Sequence, residues 1–127
     1  MSSGIHSVTV DCHDTYVLAG FWAEVYGCSR RPEDLPGDPE ATLLPPDGPM
    51  MLFVQVPEGK TVKNRMHVCL QPADRDRDAE VERLLALGAT QVDDQRRPDG
   101  TGWVVLADPE GNEFCIERSA AERAATA

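Results

Sequence analysis

Three things are scarce in this sequence: basic side chains, long apolar runs and closely spaced cysteines. Its 127 residues carry 12 Lys and Arg against 22 Asp and Glu, a formal charge of −10. Nucleic-acid binders displace phosphate counterions with cationic side chains, so no nucleic acid is expected as a partner, and no anionic membrane. The longest clear apolar run, residues 50–54, falls far short of the roughly 20 residues that span a bilayer. The opening MSSGIHSVTV has no basic region followed by an apolar stretch, and no secretory leader is expected. Cys12, Cys28, Cys69 and Cys115 form no CxxC pair of the kind that marks zinc or dithiol redox motifs. Such usage suits a reducing compartment, and a cytoplasmic protein without disulfides is expected.

What is present suits one globular domain over 1–127, since 41% hydrophobic content excludes wholesale disorder. Residues 5–12 (IHSVTVDC) alternate, with Val8, Val10 and Cys12 apolar and Ser7, Thr9 and Asp11 polar, the period of a half-buried strand. Asp14 offers an N-cap to a helix whose apolar stripe is Val17, Leu18, Phe21, Trp22 and Val25, with Gly27 as its stop. A loop over 28–40, strands over 41–44 and 50–56, and a linker over 57–62 follow. The pattern then repeats. An alternating strand spans 65–71, with Met66, Val68 and Leu70 on one face and His67, Cys69 and Gln71 on the other. A helix opens on Asp74, Asp76 and Asp78 and turns Val81, Leu84, Leu85 and Gly88 inward. Strands over 90–94, 102–107 and 112–117 complete the second half, the last two joined by the Asp108-Pro109-Glu110-Gly111 turn. Residues 119–127 are small and polar, a flexible tail. Module one therefore covers about 5–57 and module two about 64–118, each like the other. Directly after the first helix only 27–31 is available for a strand.

Four segments, DCHDTYVLAGFWAEVYG (11–27), MLFVQVPEGKTVKNRMHVCL (51–70), LLALGAT (84–90) and GWVVLADPEGNEFC (102–115), together resemble the glyoxalase-like branch of the glyoxalase/bleomycin-resistance/extradiol dioxygenase, or vicinal-oxygen-chelate, superfamily. The resemblance implies an α+β fold of two tandem βαβββ modules, whose curved mixed sheets enclose a ligand cavity, often in a homodimer. It covers lyases, isomerases, dioxygenases, thiol transferases and antibiotic-sequestering proteins.

Metal-dependent members hold a divalent ion through one side chain from the first and one from the last strand of each module. On that resemblance the first-strand ligand of module two is His67, seven residues before Asp74. The same spacing back from Asp14 lands on Ser7, and strand parity favours it over His6, which shares the apolar face of Val8 and Val10. The last-strand position, four residues after Gly111, is Cys115, flanked by Glu113 and Glu117; the remaining position corresponds to Gln55. Ser7, Gln55, His67 and Cys115 stand where His or Gln, Glu, His and Glu are expected. Hard ions prefer carboxylates, and catalytic Zn²⁺ or Fe²⁺ needs about three good donors. No cofactor is therefore expected; a divalent metal, if present, would rest on His67 with Cys115 or Glu113, with Asp11 or Cys69 as further donors.

The expected cavity is lined by Ser7, Thr9, Asp11, Gln55, His67, Cys69, Trp103 and Cys115. Its expected function is to bind a small organic molecule without the usual metal. The alternatives are a lyase or isomerase that uses a metal, or His67 and Cys115 as catalytic residues, and an antibiotic-sequestering resistance protein. A non-catalytic interaction module ranks last, because so polar a cavity would not stay empty. Lys60, Lys63 and Arg65 read either as a solvated linker or as a dock for an anionic group. Trp103 reads either as a cavity platform or as core.

Overall fold

The computed structural model describes residues 1–125. They form two compact units, Met1–Lys60 and Thr61 onward.

In the first unit, the alternating segment forms β1 (Ser7–Cys12) and Asp14 caps α1 (Thr15–Tyr26). The Asp14 carboxylate accepts from the Val17 N–H, and Gly27, at φ 70°, ends the helix in the left-handed region. β2 (Glu40–Leu43) and β3 (Met50–Gln55) complete a sheet of order β1-β3-β2, with β1 parallel and β2 antiparallel to β3. Helix α1 packs on this sheet through Leu18, Ala19, Phe21, Trp22 and Ala23, against buried Ala41, Leu43, Met51 and Phe53. Burying each large side chain of this kind contributes about 1.5–3 kcal/mol. Two details differ from the expected pattern. Residues 27–31 form no strand, so this unit is βαββ, and Val17 points to solvent while the small Ala19 and Ala23 take the buried positions.

A buried carboxylate organises the loop before β2. Asp34 accepts from Arg31 Nε and Nη2 at 3.2 and 2.9 Å and from the Thr42 N–H at 2.9 Å. The hydrogen bonds from Arg31, first of all, and from Thr42 hold its carboxyl below the ordinary aspartate value against the opposing effect of burial. A depressed folded pKa stabilises the native state above the unfolded value of about 4, and that stabilisation is lost as pH falls through the folded value. Asp34→Asn is therefore expected to cost roughly 1–2 kcal/mol at neutral pH. In urea unfolding from pH 7 to pH 2, the gap between parent and variant should shrink on acidification; a constant gap would refute the assignment.

In the second unit, β4 (Cys69–Leu70), α2 (Arg77–Leu87), β5 (Thr90–Asp94), β6 (Val104–Ala107) and β7 (Glu113–Ile116) form a sheet of order β4-β7-β6-β5. β4 runs parallel to β7, and the other pairs are antiparallel. Val104, Leu106, Phe114 and Ile116 are fully buried on one face of this sheet, as are Val81 and Leu84 of α2, which packs on β7. Gly88, at φ 117°, closes the helix. The N-cap is Asp76, whose carboxylate accepts from Ala79 at 2.7 Å, rather than Asp74. β4 is also much shorter than the expected 65–71 strand. Met66 is exposed, so the alternation in that segment is not matched by burial and only the part paired with β7 forms a ladder.

The expected tail over 119–127 contains a helix, α3 (Ala120–Ala125); positions 126 and 127 lie outside the described residues. Ser119 Oγ accepts from the Glu122 N–H at 3.1 Å, and Glu122 Oε1 accepts from the Ser119 N–H at 2.9 Å. That reciprocal capping box is written in the sequence as Ser119-Ala120-Ala121-Glu122. Glu122 Oε1 also accepts from the Arg77 N–H at 2.7 Å, tying α3 to the start of α2. The whole is an α+β protein with two mixed sheets of three and four strands, neither closed.

Candidate functional site

The face of the second sheet that does not carry Phe114 and Ile116 holds the chemistry. Register places Cys69 beside Cys115 and Cys115 beside Val105, so the three lie in line across adjacent strands. His67 precedes Cys69 by two residues, and the Cys115 N–H donates to the Val68 carbonyl at 3.0 Å, carrying the pairing back towards the histidine. The His67, Cys69 and Cys115 donor atoms all lie within 4.8 Å of one another. With Lys63, Trp103, Val105, Glu113 and Glu117 they line a cleft of about 460 Å³.

The cleft has an apolar floor and a charged rim. Val105 and the half-buried Trp103 supply apolar surface; Lys63 and His67 are exposed at its edge. Both rim carboxylates have partners. Glu113 Oε1 accepts from the Asn64 N–H at 3.2 Å, and Glu117 pairs with Arg123 at 3.0 Å. The guanidinium of Arg97 stands 5.9 Å from the Trp103 ring centre. Burial, then the neighbouring Cys69 thiol and the Glu117 carboxylate, push the Cys115 thiol up to about 11, with Lys63 acting the other way. With no other change at the site, that thiol stays protonated at neutral pH, which weakens the reading of Cys115 as a thiolate nucleophile.

Of the eight residues expected to line a cavity, His67, Cys69, Trp103 and Cys115 come together here. Ser7, Thr9 and Asp11 share one face of β1 in the first unit, with Ser7 Oγ 3.5 Å from Thr9 Oγ1. Gln55 does not share that face: its ladder partner is Cys12, whereas Asp11 pairs with Val54. Its side chain donates to the His13 carbonyl at 3.2 Å, in a separate hollow of the first unit with Val56 and Pro57. Glu113 lines the cleft but lies outside the His67–Cys69–Cys115 cluster. The orientation of Trp103, open in the sequence, is towards the cleft.

A family model for the glyoxalase-like domain matches residues 7–117, and the chain belongs to that family. Its fold is that of several solved structures. The fosfomycin resistance protein FosX from Mesorhizobium loti superposes with a TM-score of 0.70 at 20% identity, covering 98% of this chain and 99% of that one. A mutant FosX from Listeria monocytogenes, complexed with Mn(II) and 1S,2S-dihydroxypropylphosphonic acid, gives 0.73 at 19% identity, covering 97% and 95%. The oxidase ChaP-H2 gives 0.66 at 23% identity, covering 94% of each chain. No curated protein matches the chain. The divalent metal of metal-dependent family members is a hard ion or a catalytic Zn²⁺ or Fe²⁺. A hard ion favours carboxylate and imidazole donors, whereas the clustered atoms are one imidazole nitrogen and two sulfurs. That clustered donor set does not suit a hard ion.

Proposed function

We propose that this protein binds a small organic molecule, with an anionic group, in the cleft of its second unit, without the hard divalent metal of its metal-dependent relatives. The observation that carries this reading is the cleft itself. Its volume of about 460 Å³ lies within the roughly 300–1,000 Å³ of small-molecule sites. An aromatic platform at Trp103, an aliphatic floor at Val105 and a cation at Lys63 offer apolar contact together with one anchoring charge. The phosphonate held by the Listeria relative supports including phosphonates among the ligands tested. The described residues contain no helix long and apolar enough to cross a membrane. A homodimer, as the family resemblance implies, and a cytoplasmic location remain part of the proposal.

Ligand binding is tested on metal-free protein by thermal shift and by Trp103 fluorescence against aromatic carboxylates, thiol adducts and phosphonates. Trp22, buried in the first unit, supplies a constant background. Binders should quench Trp103, and Trp103→Leu or Lys63→Met should each weaken binding by about tenfold, the effect of losing one charged or aromatic contact. His67→Ala should weaken ligands that accept a hydrogen bond and spare the rest. If no compound shifts either signal, or every binder is indifferent to all three substitutions, this cleft is not the site.

A further inference from the structure

The cluster at the head of the cleft has a chemistry that an organic ligand does not require. His67 lies two residues before Cys69 in the segment that leads into β4, and their donor atoms lie within 4.8 Å of each other. The parallel ladder sets Cys115 beside Cys69. All three belong to the second unit, whereas the family's usual donors come from both modules. The carboxylates that could have made this a hard-ion site are engaged elsewhere, Glu113 with the Asn64 N–H and Glu117 with Arg123.

We propose that His67, Cys69 and Cys115 form a site for a thiophilic divalent cation, Zn²⁺, with its fourth coordination position open to the cleft. Three donors with one open position is the pattern of reactive rather than purely structural zinc sites, and a set of one imidazole and two thiolates is a known variant of it. Donor atoms around tetrahedral Zn²⁺ lie roughly 3.5–3.8 Å apart, given Zn–S near 2.3 Å and Zn–N near 2.0 Å. The observed separations, at most 4.8 Å, close to that range by small side-chain rotations, and both His67 and Cys69 are exposed and can turn. On binding, each thiol gives its proton to solvent and its sulfur lone pair to the ion; nothing is oxidised or reduced. The open position then suits a ligand with a thiolate or other anionic donor.

The site shares the cleft with the proposed organic ligand but does not depend on it. The test uses the metals alone, on full-length protein purified without affinity nickel and stripped with chelator, so either reading can fail without the other. Calorimetry should show one Zn²⁺ per chain. Co²⁺ used as a probe should show sulfur-to-cobalt charge transfer and the strong visible bands of a tetrahedral site. Mn²⁺ should bind weaker than Zn²⁺ by on the order of 100-fold or more. Cys69→Ser and His67→Ala alter exposed positions and should remain folded by circular dichroism while losing at least about tenfold in Zn²⁺ affinity. Cys115→Ser should do the same if it folds, and Cys28→Ser, in the first unit, should change nothing. A cobalt complex without sulfur bands, Mn²⁺ bound as tightly as Zn²⁺, or Zn²⁺ affinity unchanged in Cys69→Ser would each overturn the proposal.

Discussion

Replacing Gly102 with alanine is expected to cost about 3 kcal/mol and to disturb the cleft as well as the fold. Gly102 has φ 96°, a conformation that L side chains rarely adopt. A Cβ there would collide with the backbone carbonyl of Gln95 and press on the Arg96 Cα. Backbone atoms cannot rotate aside as a flexible side chain can, so both strain and overlap must be borne, each worth roughly 1–3 kcal/mol. The close approach exists because the chain doubles back between β5 and β6. The Gln95 N–H donates to the Trp103 carbonyl at 2.9 Å, and the Arg97 N–H to the Thr101 carbonyl at 3.0 Å. Opening that turn moves Trp103, and with it one wall of the cleft. Gly48 is the natural control. It also has a positive φ, 98°, but nothing lies within 4 Å of its missing Cβ. Urea unfolding should therefore show Gly48→Ala losing only the conformational part, about 1 kcal/mol, and leave Trp103 fluorescence unchanged. Equal losses in the two variants would remove the collision from the explanation.

Arg77→Met should be almost as damaging, at about 3 kcal/mol, although the substitution removes a charge from a helix end where positive charge is unfavourable. Arg77 is only 4% exposed. Its Nη1 donates to the carbonyls of Gly100, Thr101 and Gly102 at 3.1, 3.1 and 3.0 Å, while Nε contacts Asp78 at 3.0 Å. One guanidinium thus holds the same turn that Gly102 permits. Methionine keeps the apolar stem and leaves the part-buried Thr101 and Gly102 carbonyls without their donor, and polar groups that lose a charged partner in this way cost about 1–3 kcal/mol. Arg77→Lys should recover only part of the loss, because a point-like ammonium cannot reproduce the planar fork. Amide hydrogen exchange around 100–104 should speed up more than exchange in α2. Uniform acceleration through the whole unit would mean that Arg77 supports the fold generally and not this turn.

Much of the secondary structure was legible because it follows local rules. Strict alternation marked β1, Asp14 and Gly27 marked the ends of α1, and the Asp108–Gly111 turn marked the β6–β7 hairpin, whose Asp108 accepts from the Glu110 and Asn112 N–H groups. Arg77 was not legible. A cation among Asp76, Asp78 and Glu80 reads as a solvated helix start, and only a loop more than 20 residues away makes it a buried clamp. The short helix α3 escaped for the opposite reason: its capping box was in the sequence, but the small, polar residues of 119–127 at the chain end read as a tail. Gln55 was chosen by family context alone, whereas its face is set by the β1–β3 register, which puts it opposite to Ser7, Thr9 and Asp11.

The sequence by itself determined that this is an acidic α+β chain, and its motifs carried the resemblance to the glyoxalase-like family; on that resemblance Ser7, Gln55 and Cys115 stand where metal ligands are expected. Charge and strand and helix periodicity reside in the chain itself, whereas the ligand positions follow only from the resemblance. The tertiary structure decided which replacements meet. His67 and Cys69 are near neighbours in sequence, but Cys115 lies 46 residues beyond Cys69 and reaches it through a parallel ladder. Register is a long-range quantity, set by packing Phe114 and Ile116 into the core on the opposite face of the sheet. Burying those two side chains is what turns Cys115 to the other face, beside Cys69, and no reading of adjacent residues contains that information.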